Sequence, residues 1–162
     1  MYIMKKIVVM SDNHGMDYML NYVKDKEPHA DYYVHCGDSE VPYPELLNGY
    51  ICVKGNNDWG LDLPKEARLE VEGYSILITH GQYLGYFNRE LAMNDLLTTH
   101  QCQILLCGHT HIPMFVQDGD FYYINPGSTS LPRGGSQASY AVVTIDEKNV
   151  SCEFKTIDDT SF

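Results

Sequence analysis

The sequence predicts a mixed α/β layered domain, and two observations point to this class. Up to about residue 106, short β-rich apolar runs alternate with segments in which apolar residues recur at helical spacing. Beyond that point, two pairs of apolar runs flank turn sequences and are typical of antiparallel hairpins. The length of 162 residues fits one domain spanning 1–162.

Each element follows from its local pattern, and the elements alternate along the chain. The predicted strands are 1–10, 31–35, 50–53, 69–72, 74–79, 104–106, 114–117, 121–124, 140–145 and 150–155. Helices are predicted at 16–26, where Pro28 ends the pattern, at 43–47, and at 87–99. The last helix is expected to pack through a broad face listed as Phe87, Leu91, Ala92 and Leu96.

Composition and charge exclude several functions. The formal net charge of −11 argues against nonspecific nucleic-acid binding, which needs basic patches. The five cysteines are odd in number and form no CxxC pair, so they are interpreted as reduced, buried residues of a cytoplasmic protein. The apolar run after Lys5 and Lys6 covers only residues 7–10, too short for a secretion signal or a membrane span.

Five short blocks of oxygen and nitrogen donors follow predicted strands, each with a glycine. They are residues 11–15 (SDNHG), 37–38 (GD), 55–58 (GNND), 80–81 (HG) and 108–111 (GHTH). Alternate side chains of an extended segment point to one side, so Asp12 and His14 present two donors together. His109 and His111 repeat this spacing. Because sites form at the carboxyl ends of strands, the blocks predict two-metal hydrolysis, most simply of a phosphoester.

The donor types narrow the choice of metal. Carboxylate, imidazole and amide oxygen suit Mn, Zn, Fe, Ni or Co, with manganese favoured; Mg stays open, although a pure Mg site would use fewer imidazoles. Cys36 and Cys107 each precede a block, but strand neighbours point the opposite way, so both are interpreted as core residues. The histidines outside the blocks, His29, His35 and His100, are interpreted as structural.

The ordered blocks D-x-H, GD, GN-x-D, HG and GHTH resemble the calcineurin-like metallophosphoesterases. Within that superfamily the chain is similar to the small single-domain prokaryotic phosphodiesterases, because residues 125–128 (NPGS) and 131–135 (LPRGG) also match. The resemblance runs from residue 7 to residue 135. It implies an α/β (α+β) fold, a two-sheet mixed β-sandwich flanked by helices in a four-layer architecture.

The resemblance also implies a ligand assignment. One metal would take Asp12, His14, Asp38 and His111. The other would take Asp38, Asn56, His80 and His109. Asp38 would bridge the ions together with a hydroxide that attacks the ester in line. Asp38, Asn56 and His80 are therefore catalytic candidates, acting through the metals and that hydroxide.

Two further positions bear on the chemistry. Many superfamily members place a general-acid histidine after the GN; here that position is Asn57, which cannot give up a proton near neutral pH. Asn57 is interpreted as a turn residue and Asp58 as a residue that orients a ligand histidine or the loop. Arg133, in a Gly/Pro/Ser-rich loop, is a candidate phosphate contact, with a solvated loop arginine as the open alternative.

The sequence therefore predicts a divalent-metal-dependent phosphoesterase of a small phosphoester, with a phosphodiesterase favoured. The bound cations would attract phosphate despite the acidic protein. Two alternatives stay open: a phosphomonoesterase acting on nucleotides or sugar phosphates, and a noncatalytic scaffold that keeps the fold, as the retromer subunit of the superfamily does. The tyrosines are expected in the core, with a substrate cleft or a homo-oligomer contact left open. No membrane partner is expected.

Overall fold

Ten strands form two sheets in the computed structural model, which describes residues 4–157. The strands are β1 (Met4–Met10), β2 (Tyr32–His35), β3 (Ile51–Cys52), β4 (Glu66–Val71), β5 (Tyr74–Thr79), β6 (Ile104–Leu106), β7 (Met114–Asp118), β8 (Phe121–Asn125), β9 (Ser139–Asp146) and β10 (Val150–Thr156). The first sheet has the order β10-β9-β1-β2-β3 and the second β4-β5-β6-β8-β7.

Each sheet contains three parallel strands flanked by antiparallel ones. The parallel strands are β1, β2 and β3 in the first sheet, and β5, β6 and β8 in the second. The carboxyl ends of strands that run parallel lie at one edge of their sheet, so the loops that follow them are neighbours. The hairpins β7–β8 and β9–β10 confirm the antiparallel last third predicted from the sequence.

The helices cover the outer faces of the sandwich and produce four layers. In β1, Ile7 and Val9 point into the core between the sheets, whereas Val8 and Met10 pack towards helix α1 (Tyr18–Lys26). Helix α2 (Arg89–His100) packs on the second sheet in the same way. This alternation follows from the two-residue period of a strand, and both faces of the central strands are apolar because both are covered. The predicted layered fold is confirmed.

The predicted starts of α1 and α2 were both early by two residues. At α2, Asn88 adopts a left-handed φ of 52°, so Phe87 precedes the helix and is 94% exposed. The predicted packing face was only partly right: Leu96 packs partly buried against the second sheet, but Leu91 is exposed, and Met93 and Leu97 are the buried residues of α2. A helix that begins at Arg89 turns these two residues, one helical turn apart, towards the sheet.

The remaining differences are small. The predicted helix at 43–47 is a 3-10 helix at Pro44–Leu47. The predicted strand 69–72 begins earlier, at Glu66, and its last residue, Glu72, turns with a φ of 47°. The first three residues of the predicted strand 1–10 lie outside the described residues. All five cysteines are free, and four of them are buried. Among residues 4–157 there is no helix long and apolar enough to cross a membrane.

Candidate metal centre

The seven predicted ligands lie in loops at the carboxyl ends of five strands, β1, β2, β3, β5 and β6. The first sheet supplies those of the DxH, GD and GN blocks, and the second sheet supplies those of the HG and GHTH blocks. The structure brings all seven into one cluster of donor atoms. The cluster divides into two groups, one on each side of Asp38.

The first group contains Asp12, His14 and His111. The Nε2 atoms of His14 and His111 are 3.2 Å apart, and the Oδ1 atom of Asp12 is 3.2 Å from His111 Nε2. His111 Nδ1 lies 2.7 Å from the carbonyl oxygen of Leu131, to which it donates its proton. The Nε2 atom of the same ring then faces the nitrogen of His14 and the oxygen of Asp12. Such an arrangement needs a cation or a proton at its centre.

The second group contains Asn56, His80 and His109. The Oδ1 atom of Asn56 is 3.0 Å from His80 Nε2 and 3.2 Å from His109 Nδ1. His80 donates through Nδ1 to the carbonyl of Cys36 at 2.8 Å, which leaves its Nε2 lone pair directed at the group. Metal-bound histidines are commonly oriented by such a bond from the other ring nitrogen.

Two carboxylates contact histidines of both groups. Asp38 Oδ2 is 3.3 Å from His80 Nε2 and 3.9 Å from His14 Nε2. Asp12 Oδ1 reaches His80 Nε2 at 3.8 Å as well as His111. The residues with compatible donor atoms accordingly form two overlapping sets, Asp12–His14–His111 and Asp12–Asp38–His80. Asp38 therefore lies between the two groups, and Asp12 reaches across in a similar way.

The electrostatics of the cluster fit a cationic occupant. Burial alone would raise the pKa of Asp12, but the contacts with His111 and His14 outweigh it and hold that pKa far below its ordinary value. Contact with the Asp12 carboxylate raises the pKa of His14 to about 9 against its own burial, with Glu40 adding to the rise. Within residues 4–157, the Oδ1 atom of Asp12 is buried without a hydrogen-bond partner. A divalent ion would satisfy this oxygen and replace the proton on His14.

His80 and His109 differ in their protonation tendencies. Burial lowers the pKa of His80, but the carboxylates of Asp38 and Asp12 raise it by a larger amount, so the net shift is upward. Burial and the neighbouring His80 lower the pKa of His109. The two rings meet edge to face with centroids 5.2 Å apart. The opposite shifts mean that His109 gives up its proton more readily than His80 does, which leaves a lone pair for coordination.

The backbone at this edge is strained. Left-handed φ values occur at five of the seven predicted ligands: Asp12 (57°), His14 (44°), Asp38 (58°), His109 (73°) and His111 (62°). Each such residue costs roughly 1–3 kcal/mol, a strain that concentrates at functional sites. Glycines make room for the ligands: a Cβ on Gly108 would lie 2.6 Å from Asp12 Oδ2, and one on Gly37 2.7 Å from His80 Nδ1.

Asp58 holds the two loops of the GD and GN blocks together. Its buried carboxylate accepts hydrogen bonds from the backbone N–H groups of Asp38 (2.9 Å), Glu40 (2.9 Å) and Gly55 (2.7 Å). Asn57 acts on Asp38 directly, donating through its backbone N–H to Oδ1 at 2.8 Å and through its side-chain amide to Oδ2 at 3.0 Å. Asn57 is therefore more than the predicted turn residue, because it orients the carboxylate between the two groups.

Two supporting contacts were not predicted. Glu40 Oε2 lies 2.5 Å from His14 Nδ1 and fixes that ring. The alternate spacing of Asp38 and Glu40, the same as that of the DxH block, was the available signal. Ser128, in the NPGS segment, donates to the carbonyl oxygen of Asp12 at 2.7 Å and so supports the first loop from behind.

The residues interpreted as structural lie outside the cluster. His35 is fully buried, donates to Asn13 Oδ1 at 2.7 Å, and accepts from the N–H of Gly37 at 3.0 Å. His29 is exposed, and His100 pairs with Glu66 at 2.6 Å.

Arg133 lies beside the cluster rather than in it. Its backbone N–H donates to the carbonyl oxygen of His111 at 3.2 Å, and the residue is exposed. Within residues 4–157 its guanidinium has no hydrogen-bond or ion-pair partner. The group is therefore available to a ligand or to solvent, and both sequence interpretations remain compatible with its position.

Comparisons with known proteins agree with this geometry. Residues 4–148 match the calcineurin-like phosphoesterase superfamily domain. The chain is 32% identical over 151 residues to the probable metallophosphoesterase YsnB of Bacillus subtilis, covering 91% of this chain and 89% of that protein. It is 33% identical over 114 residues to the phosphodiesterase YfcE of Escherichia coli K12, covering 65% of this chain and 58% of that protein. A crystal structure of a phosphoesterase-like protein from Streptococcus pneumoniae has a TM-score of 0.88 at 32% identity, covering 95% of this chain and 90% of that one.

Proposed function

The chain belongs to the calcineurin-like phosphoesterase superfamily, and on that premise we propose that it is a phosphodiesterase that uses two divalent metal ions. The observation that carries the proposal is the pair of donor groups around Asp38, in which carboxylate oxygens and imidazole nitrogens converge to 3.2–3.3 Å. The family itself implies a metal-dependent phosphoester hydrolase. The number of ions, the diester preference and the residue roles are our proposal.

The seven residues would hold the ions in two sets that share Asp38. The first set is Asp12, His14, Asp38 and His111. The second set is Asp38, Asn56, His80 and His109. When bound, such ions lower the pKa of a coordinated water and neutralise charge on the phosphate. Manganese is the first ion to test, because the donors are nitrogen and hard oxygen atoms and include no thiolate.

The chain's own residues supply orientation and charge balance. The carbonyls of Cys36 and Leu131 fix the tautomers of two histidines, and Asp58 fixes the loop that carries Asp38. Two buried aspartates contribute two negative charges, so a pair of divalent ions leaves the cluster positive in a protein of net charge −11. Arg133, unpaired and next to His111, extends this positive region as a phosphate contact.

The leaving group receives little help from the residue at the position of the general acid. The side-chain amide of Asn57 donates to Asp38 and cannot release its proton to an alkoxide. A group with a low pKa departs without that help, and this favours activated or stabilised leaving groups. General acid catalysis is typically worth about 10²–10⁴-fold, so esters of basic alcohols should be poor substrates.

The alternatives are less well supported. A phosphomonoesterase would use the same ions, but the relative YfcE is named a phosphodiesterase. A noncatalytic scaffold has no requirement for seven donors in one cluster, five of them on strained backbone.

We also propose a reducing, cytoplasmic location, because all five cysteines are free.

The test compares bis(p-nitrophenyl) phosphate with p-nitrophenyl phosphate, using purified protein reconstituted with Mn²⁺. We expect hydrolysis of the diester, its loss on chelation, and two ions per chain by elemental analysis. Asp38→Asn should lose both metal occupancy and activity, because removing the shared negative charge leaves the cations less well screened. Asp62→Asn is the matched control, since Asp62 is an exposed carboxylate on a neighbouring loop.

Two results would contradict the proposal. Retention of activity and of two ions in Asp38→Asn would mean that another residue, such as Asp12, is the shared ligand. Binding of two ions by the unmodified protein without hydrolysis of either ester would favour the scaffold.

A further inference from the structure

A pocket opens beside the second donor group. Its volume is about 240 Å³, and Asn56 is part of its wall. Trp59 and Tyr83 also line it, from the loops that follow β3 and β5. A substrate with its phosphate at the metal centre would have one ester arm within reach of this pocket.

Two aromatic rings of the pocket are unusually exposed. Trp59 is 86% exposed and Tyr83 is 84% exposed, although each could bury a large apolar area in a core. Exposed aromatic residues that share a concave surface mark binding sites more often than isolated ones do. This position corrects the expectation that the tyrosines are core residues, which holds for Tyr122 and Tyr123 but not for Tyr83.

The same pocket contains two unpaired cations. Lys54 and Lys65 line it, Lys54 half-buried and Lys65 exposed. All eleven lysines and arginines lie within residues 4–157, and their ion pairs, side-chain hydrogen bonds and ring contacts leave four side chains without a partner. These four are Lys54, Lys65, Arg133 and Lys148. Three of the four thus lie beside the donor cluster, in a protein with twice as many acidic as basic residues.

We propose that this pocket binds the nucleoside arm of a small nucleotidyl phosphodiester, with the base against Trp59 and Tyr83 and Lys54 and Lys65 near its phosphate oxygens. Every base has a π-face that stacks on an aromatic side chain, and ammonium groups attract phosphate oxygens. The inference rests on the proposed function, whose substrate class it specifies.

The pocket's size and the protein's charge limit the substrate further. Pockets for drug-sized ligands measure about 300–1,000 Å³, so 240 Å³ accepts one nucleoside rather than a chain of them. The net charge of −11 disfavours a long polyanion, which needs an extended basic surface.

In the reaction, the oxygen of one water molecule bonds to phosphorus. The bond from phosphorus to the leaving oxygen breaks, and that oxygen takes the electron pair and a water proton.

The binding test uses Trp59, the only tryptophan in the sequence, as its own reporter. Protein loaded with Mg²⁺, which is diamagnetic, is titrated with adenosine 5′-monophosphate while Trp59 fluorescence is followed. We expect saturable quenching that ribose 5-phosphate does not produce. Tyr83→Ala should weaken nucleotide binding about tenfold, the usual worth of one stacked base. Phe87→Ala, which removes an exposed aromatic side chain outside the pocket wall, should leave binding unchanged.

The kinetic test holds the leaving group constant. The p-nitrophenyl ester of thymidine 5′-monophosphate is compared with methyl p-nitrophenyl phosphate in the Mn²⁺-loaded enzyme. We expect kcat/KM to favour the nucleotidyl ester by about tenfold or more. Trp59→Ala should remove that preference, lowering kcat/KM for the nucleotidyl ester far more than kcat/KM for the methyl ester. The double variant Lys54→Gln/Lys65→Gln should lower kcat/KM for both esters, because both carry the phosphate, and Lys148→Gln should not.

The outcomes separate this inference from the proposed function. Hydrolysis of the methyl ester with no nucleotidyl preference and no quenching would overturn the nucleoside pocket and leave the phosphodiesterase standing. Nucleotide-specific quenching without hydrolysis of either ester would support the pocket and contradict the phosphodiesterase.

Discussion

Replacing Asp58 with asparagine should destabilise the protein and weaken its metal centre, although Asp58 is not one of the proposed ligands. The Asp58 carboxylate is buried, and each oxygen accepts at least one backbone N–H across the gap between two loops. In asparagine one of these acceptors becomes an NH₂ donor. Whichever way the amide is oriented, at least one N–H then faces another donor.

The expected cost follows from these contacts. A hydrogen bond to a charged group contributes about 1.5–3 kcal/mol, so losing the bond from Glu40 removes about that much. The bonds from Asp38 and Gly55 remain but exchange a charged acceptor for a neutral one, about half as strong. The total is roughly 3–5 kcal/mol, a large part of the 5–15 kcal/mol typical of a domain. Metal affinity should fall about 10–100-fold, as is usual when a group that orients a ligand is lost.

Urea unfolding of the chelated protein at neutral pH measures the stability term, and titration with Mn²⁺ measures the affinity term. The exposed Asp62→Asn variant makes the same chemical change without these contacts. We expect it to match the unmodified protein in both assays. A change of less than about 1 kcal/mol in Asp58→Asn, with unchanged metal affinity, would refute the view that Asp58 positions the loop.

Two further predictions concern the leaving group and pH. For aryl phosphodiesters, kcat/KM should fall steeply as the leaving-group pKa rises, because Asn57 cannot protonate the departing oxygen; a flat dependence with chemistry rate-limiting would mean that another residue is the acid. Burial lowers the pKa of His35 from 6.5 to about 4. Between these two pH values the unfolded chain binds more protons than the folded protein, so the free energy of unfolding falls as the pH drops, by roughly 3 kcal/mol in all. Urea unfolding of the chelated protein from neutral pH down to about pH 4 should show this loss, and His35→Gln should flatten it; an equal pH dependence in that variant would contradict the assignment.

Local pattern was sufficient for most of the fold. The strand at Ile104–Leu106 has the predicted bounds, because its three apolar residues lie between the polar Gln103 and the glycine block that begins two residues after Leu106. The helix at Arg89–His100 could not be placed as well. Its start depends on the left-handed Asn88, and its packing face depends on a sheet that local periodicity does not describe.

In the candidate site, too, local sequence pattern predicts some features, whereas others depend on contacts between distant segments. The spacing of donors after strands marked five blocks, because strand ends are the places where side chains from distant segments meet, and the family resemblance named the seven residues within them that the structure brings together. The residues that orient them were harder to identify. Glu40 and Asn57 act through contacts made only when two loops approach. The alternate spacing of Asp38 and Glu40 signals a second donor, but it does not specify the approach of the loops. Tyr83 was expected in the core, with a substrate cleft left open, because an aromatic ring predicts burial unless a pocket is already known.

The division of the donors between two sheets has a consequence for the order of events during folding. His14 and His111 are 97 residues apart in the sequence, and their Nε2 atoms meet only after both sheets have formed and packed. Bringing such distant segments together costs chain entropy before any contact offsets it. A partly folded chain with one sheet in place would therefore hold only part of either donor set. Ions available during synthesis would bind last, and their binding free energy would then oppose any opening of the sandwich.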